Sequence, residues 1–306
     1  MDSETLASME PNLQSPAAKS PAPQLPPPST PQSSQVLRQW RPAAQRNIKN
    51  QWLKLVSLWK DWLSSSSSAR SHATSLVNSY LSQRYMDGME LGVLSDVPDI
   101  RKKACHKLSR QQVTNRSNLL SSYKNMVGIV TQMVNTSRSM RCYLRGTSSS
   151  PIIQFSSNQD NQNDTGDGGG VPVFTFLAIA SFEKMAEELV QMLKSEMSLK
   201  RLLVMELCSI SDKDNNSIVW SEELYPGEFD DLIICGLYSD EASELIFPSD
   251  ASYKSDMPTN LSGHQEERNV LQVYLTTWLA EVKIDRLRID EIFAIVGEEV
   301  HITLSS

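Results

Sequence analysis

Residues 181–210 read "SFEKMAEELVQMLKSEMSLKRLLVMELCSI". Phe182, Met185, Leu189, Leu193, Met197, Leu203, Leu207 and Ile210 recur there at the three-and-four spacing that lines one side of an α-helix. No Gly or Pro interrupts the run. Ser181 is placed to cap its start, and Glu183, Glu187 and Glu188 fall where the positive end of the helix dipole favours anions. At about 1.5 Å per residue the segment is a rod of roughly 45 Å with one apolar side. Such a rod needs partners of similar length to cover it.

The preceding chain supplies two. From Arg46 to Tyr85, Ile48, Trp52, Leu55, Trp59, Trp62, Ala69, Ala73, Leu76 and Tyr80 keep helical spacing, and the run Ser64–Ser68 predicts a bend or frayed turn because serine hydroxyls compete for backbone bonds. Three Trp on one face, Trp52 and Trp59 among them, read as core, as do Phe182, Leu189 and Leu193 in the central rod. A third helix opens at "SDVPDIRKKACHKL", with Asp96 as candidate cap and Pro98 in the first turn. Its stripe of Ile100, Ala104, Leu108, Leu119, Tyr123, Met126, Val130, Met133 and Met140 carries on to about Arg145. Gln111, Gln112 and Asn115 form a polar interval of the kind that sets register at a seam.

The expected fold is all-α: an elongated antiparallel bundle or coiled coil of three long helices plus a C-terminal helix. Residues 1–37 are a Pro/Ser-rich tail, too polar to offset the entropy of ordering. Within it Ser15, Ser20 and Thr30 each precede Pro and are candidate phosphorylation sites for a proline-directed kinase. Residues 38–145 form a basic helical hairpin, 146–170 a flexible Gly-rich linker, 171–211 the central helix and 212–265 an acidic irregular insertion. Asp212, Asp214, Asn216 and Glu223 in that insertion partly match a calcium loop, but Ser217 replaces its glycine and Pro226 cuts into the exiting helix. Residues 266–306 are a C-terminal helical segment, striped by Val270, Leu271, Tyr274, Leu275, Trp278 and Leu279; its last piece, "IDRLRIDEIFAIV", suits helix or strand.

The net charge of −7 is unevenly spread. Residues 38–145 carry +13, from 18 Lys or Arg against 5 Asp or Glu, whereas residues 146–306 carry −18. Two readings stay open: the halves neutralise each other, or the basic half faces nucleic acid or a ribosome. The cluster Arg101, Lys102, Lys103, Lys107 and Arg110 reads as a solvated face or a polyanion contact. Cys105, Cys142, Cys208 and Cys235 have no paired spacing, so reduced packing thiols are expected. No stretch approaches eighteen consecutive apolar residues, so no membrane contact is expected. The four His stand apart, and no nucleophile elbow, nucleotide loop, His-Glu-x-x-His or Cys-x-x-Cys pair occurs. Neither an enzyme nor a cofactor is expected.

Three segments together resemble the cyclin-dependent-kinase-two-interacting protein family, known as CINP: "RNIKNQWLKLVSLWKDW" (46–62), "PVFTFLAIASFEKMAEELVQMLKSEMSLKRLLVMELC" (172–208) and "LQVYLTTWLAE" (271–281). The same layout is more distantly similar to the AIRIM-type ribosome maturation factor. The resemblance implies a non-enzymatic adaptor. It would link cyclin-dependent kinase and cyclin, or an AAA ATPase assembly with a related helical subunit, to DNA replication, checkpoint signalling or ribosome maturation. Its place would be the nucleus, or nucleus and cytoplasm. The partner face is expected on the helices around Glu196, Leu199, Lys200, Arg201 and Trp278. The competing reading is a structural coiled-coil subunit of a tethering or cytoskeletal complex.

Overall fold

The computed structural model describes residues 31–145, 152–154, 165–210, 220–239, 244–245 and 263–304. The fold is all-α. Helix α1 (Pro31–Tyr85) is followed by α2 (Ile100–Ser137), α3 (Ile179–Ser209), α4 (Glu228–Cys235), α5 (Gly263–Ala280) and α6 (Arg286–Val300). Two antiparallel ribbons, β1 (Tyr143–Arg145) with β2 (Ile152–Gln154) and β3 (Tyr238–Ser239) with β4 (Glu244–Leu245), decorate the connections.

Cross-helix bonds give each rod its direction. Asn47 near the start of α1 donates to the carbonyls of Ser139 and Met140 just past α2, while Gln112 reaches Gln83 near the end of α1, so the pair is antiparallel. Arg141 pairs with Glu183 and Arg116 with the Ile210 carbonyl, which sets α3 antiparallel to α2. Tyr80 meets Glu267, Ser66 meets Glu281 and Trp52 meets Phe293, so α5 and α6 run down α1 as one interrupted rod. The result is an up-down-up-down four-helix bundle whose fourth rod is broken. Among the described residues no helix is long and apolar enough to cross a membrane.

The core follows the stripes. Trp52, Trp59, Phe182, Leu189 and Leu193 are all buried. The last stretch is helix α6, which buries Ile289, Ile292, Phe293 and Val296. Gln112 is the residue of the polar interval that enters the seam, where it donates to Gln83 and the Ser79 carbonyl.

Several expected boundaries move. Helix α1 begins at Pro31, inside the predicted tail, and passes Pro42 unbroken because Trp40 and Ala44 are already buried and the Trp40 indole donates to the Cys142 carbonyl at 2.8 Å. Ser15, Ser20 and Thr30 lie outside the described residues. The Ser64–Ser68 run stays helical: Ser66 is buried, donates to Glu281 and offers its carbonyl to the Trp278 indole, so tertiary packing overrides weak propensity. Helix α2 starts after Asp99, in left-handed conformation with φ +59°, rather than at Asp96, and ends at Ser137 rather than Arg145. Ser181 does not cap α3, which begins at Ile179 after an extended Ala178.

Two regions assigned to loops are integral. Within the expected flexible linker, the Gly166 carbonyl accepts from the Cys142 amide, and Gly168 at φ +67° lies flat on Trp40, where an added Cβ would come within 2.3 Å of the ring. Within the expected irregular insertion, α4 packs on α2 and buries Glu228, Leu232 and Cys235. Of the partial calcium match, Asp212, Asp214 and Asn216 lie outside the described residues, while Glu223 accepts the amides of Gly227 and Phe229.

Candidate functional site

The residues expected at the partner face are inside the bundle. Glu196 and Lys200 have no exposed surface, Arg201 and Trp278 retain at most 2 %, and Leu199 is half-buried against the core. The expectation fails because other elements cover this stretch of the central rod, whose exposed face lies elsewhere, along Ala180, Lys184, Glu187 and Gln191. Glu196, Lys200 and Arg201 face the interrupted fourth rod and α4 rather than water.

Each charge there is matched. The Lys200 ammonium lies 3.0 Å from Glu196 Oε1, donates to the Trp278 carbonyl at 3.3 Å and sits 4.5 Å from the centre of the Trp278 ring. The other Glu196 oxygen accepts the Lys283 amide, in the turn between α5 and α6 where Glu281 takes φ +47°. Burial pushes the Glu196 carboxyl up and the Lys200 amine down, each partly opposed by its partner. This pair therefore holds the break in the fourth rod. Its neighbour Arg201 spends its donors on Glu228 at 2.9 Å, the carbonyls of Trp220 and Glu222, and Met205, with its guanidinium 4.6 Å from the Trp220 ring centre. Glu228 also accepts from the Tyr123 hydroxyl at 2.6 Å, so one carboxylate ties α4 to α2 and α3. Burial, followed by the charge of Glu228, raises the Tyr123 hydroxyl well above its ordinary value. Both clusters are internal struts.

A third carboxylate shapes the surface. Glu299 Oε1 accepts three successive amides, from Thr175, Phe176 and Leu177, at 2.6–2.8 Å. Burial pushes this carboxyl up, but the amides of Leu177, Phe176 and Thr175 outweigh it and hold the group below the ordinary glutamate range. Phe176 is thereby displayed at 80 % exposure. A glutamate held low stabilises the fold fully above its unfolded pKa, and that contribution is lost as pH falls through the lower folded value. Glu299→Ala should accordingly cost about 2 kcal/mol at pH 7, the scale of hydrogen bonds to a charged acceptor. In chemical denaturation the gap from wild type should narrow as the pH falls below the ordinary glutamate range.

One cluster of exposed apolar and basic residues lies at the far end of the hairpin. Helix α3 stops at Ser209, so beyond it the last turns of α1 and the first of α2 form an arm flanked, among the described residues, by α5 alone, through Glu267 on Tyr80 and Arg84, and on it Ile100, Ala104 and Leu108 are only half-buried. Their stripe outruns the core. The loop at its tip, residues 86–99, is held by the Arg101 guanidinium on the carbonyls of Asp87 and Met89. It leaves Met89, Leu94 and Val97 more than 40 % exposed and Val93 92 % exposed. Along α2, Lys102, Lys103, Lys107 and Arg110 are exposed and form no ion pair among the described residues. From residues 38–145, Arg84 and Arg141 make salt bridges to the acidic half. The charge asymmetry thus survives folding.

The apolar tip escaped the sequence reading, which gave no role to the residues between the first two helices. Its signal was a set of aliphatic residues in a loop with no period to place them in a core. Among the described residues no group of three or more His, Cys, Asp or Glu is placed to hold a metal ion. All four Cys are free thiols, and burial raises those of Cys142 and Cys208 to about 11. No family model matches the chain, and no curated protein matches its sequence.

Proposed function

We propose that this chain is a non-enzymatic helical adaptor of the kind implied by the CINP resemblance. It links cyclin-dependent kinase and cyclin, or an AAA ATPase assembly through a related helical subunit, to DNA replication, checkpoint signalling or ribosome maturation. It works in the nucleus, with a further pool in the cytoplasm, and its basic hairpin meets nucleic acid or the ribosome. The observation that supports this reading is the arm tip, where Met89, Val93, Leu94 and Val97 stand exposed together on a loop clamped by Arg101. An apolar cluster rimmed by charge on a rigid support is the usual form of a protein-docking surface.

The test is affinity purification of the tagged full chain with mass spectrometry. Wild type should retain kinase or ATPase subunits, and Val93→Asp/Leu94→Asp should lose them at least tenfold with its melting temperature unchanged, because both side chains are exposed. Recovery of tethering or cytoskeletal subunits instead would replace this reading with the structural coiled-coil one. Undiminished recovery with the double variant would remove the tip from it.

A further inference from the structure

We infer that the side of the arm bearing Lys103, Lys107 and Arg110 is a binding surface for the phosphate backbone of a nucleic-acid duplex, without sequence preference. This rests on the polyanion part of the reading above and is independent of the protein partners. Residues 70–85 and 100–116, which make up the arm, hold eight Lys or Arg and no Asp or Glu, and Arg84 is the one of them paired with a carboxylate among the described residues, Glu267 of α5 on the side away from Lys103, Lys107 and Arg110. In a chain whose net charge is −7, that is a local field opposite in sign to the whole. Lys103, Lys107 and Arg110 fall at i, i+4 and i+7 on one face of α2, about one helical turn apart. Beside them runs a groove of about 720 Å³ between α1 and α2, to which Asn78, Ser82, Gln111 and Asn115 add hydrogen-bonding side chains alongside Lys107 and Arg110. No carboxylate lines it. The nearest acidic residues in sequence, Asp87, Glu90, Asp96 and Asp99, are confined to the tip loop.

The arrangement selects among polyanions. A phosphopeptide site gathers guanidinium forks on one phosphate, whereas these cations are strung along a rod, Lys103 to Arg110 covering about 10 Å. A string of cations reads a line of charge, which is what a duplex backbone presents, one phosphate per about 3.4 Å of each strand. Single strands are normally gripped by aromatic stacking. The arm exposes no Phe, Tyr or Trp, since Tyr80 is buried and Tyr85 half-buried. The duplex can lie along the helix while the tip stays free.

Fluorescence anisotropy of the full chain with a labelled 30-bp mixed-sequence DNA duplex, beginning at 50 mM salt, tests this. Four unpaired cations predict a slope of log K against log salt of about −3 to −4. K103A/K107A/R110A should weaken binding at least tenfold and make the slope shallower by about 2.5 to 3. K54A/K60A, which removes two exposed lysines elsewhere on α1, should match wild type. An RNA duplex of equal length distinguishes the source, and binding of either supports the inference. Absence of binding by wild type to both at 50 mM salt overturns it and the polyanion reading together, leaving the adaptor reading to its own purification. Binding that the triple variant retains, or that K54A/K60A loses equally, overturns the assignment to the arm alone.

Discussion

Lys200→Ala is expected to lower the stability of the chain by about 3–5 kcal/mol, the penalty for leaving one buried charge without its partner. Glu196 would then hold its carboxylate in an interior with no exposed surface, its remaining hydrogen bond being the Lys283 amide. The Trp278 carbonyl would lose the ammonium, and the turn that breaks the fourth rod would lose its tie to α3. Glu196→Gln/Lys200→Met should cost distinctly less than the single change, because it removes both charges while keeping an acceptor for Lys283 and the length of the lysine stem. Urea unfolding followed by tryptophan fluorescence and by circular dichroism measures both. A single variant that costs less than about 1 kcal/mol would mean that water reaches the pair. A pair on the surface, where the sequence reading put it, would contribute only a few tenths.

The second large effect is expected at Trp52. The side chain is wholly buried, meets Phe293 edge-to-face with ring centres 6.3 Å apart, and its indole N–H finds no acceptor among the described residues. Trp52→Ala should cost about 3–5 kcal/mol through lost transfer energy and the cavity left behind. Trp52→Phe should cost only about 1–2 kcal/mol, since a ring remains and no hydrogen bond is broken. Comparable losses for the two substitutions would show that the indole N–H has a partner. Trp40 and Trp278 behave differently, for their indoles donate to the carbonyls of Cys142 and Ser66, so a phenyl ring there strands an acceptor as well.

The distinction between Trp52 and Trp278 shows how far the residues alone could be read. Their periodicity identified Trp52, Trp59, Phe182, Leu189 and Leu193 as core, because the stripe on one rod is a local property that any covering rod must satisfy. The same logic placed the helix hairpin and the central rod within a few residues of their ends, except at Pro31, where the docking of Trp40 extends α1, and at Ser137, where α2 stops eight residues short of Arg145. It failed for Glu196, Lys200, Arg201 and Trp278. A charged residue on a helix looks solvated until another element is seen to cover it, and those elements come from 27 to 87 residues further along.

All-helical character, the paired long rods and the uneven charge were thus legible in the linear order of residues, since each depends on neighbours within a few turns. Burial of the Glu196–Lys200 pair, incorporation of the Gly166–Gly168 turn and α4, and the projection of an apolar-tipped basic arm beyond the end of α3 were not. Those follow from which rod stops first and what then lies against it, a matter of long-range packing that no local pattern encodes.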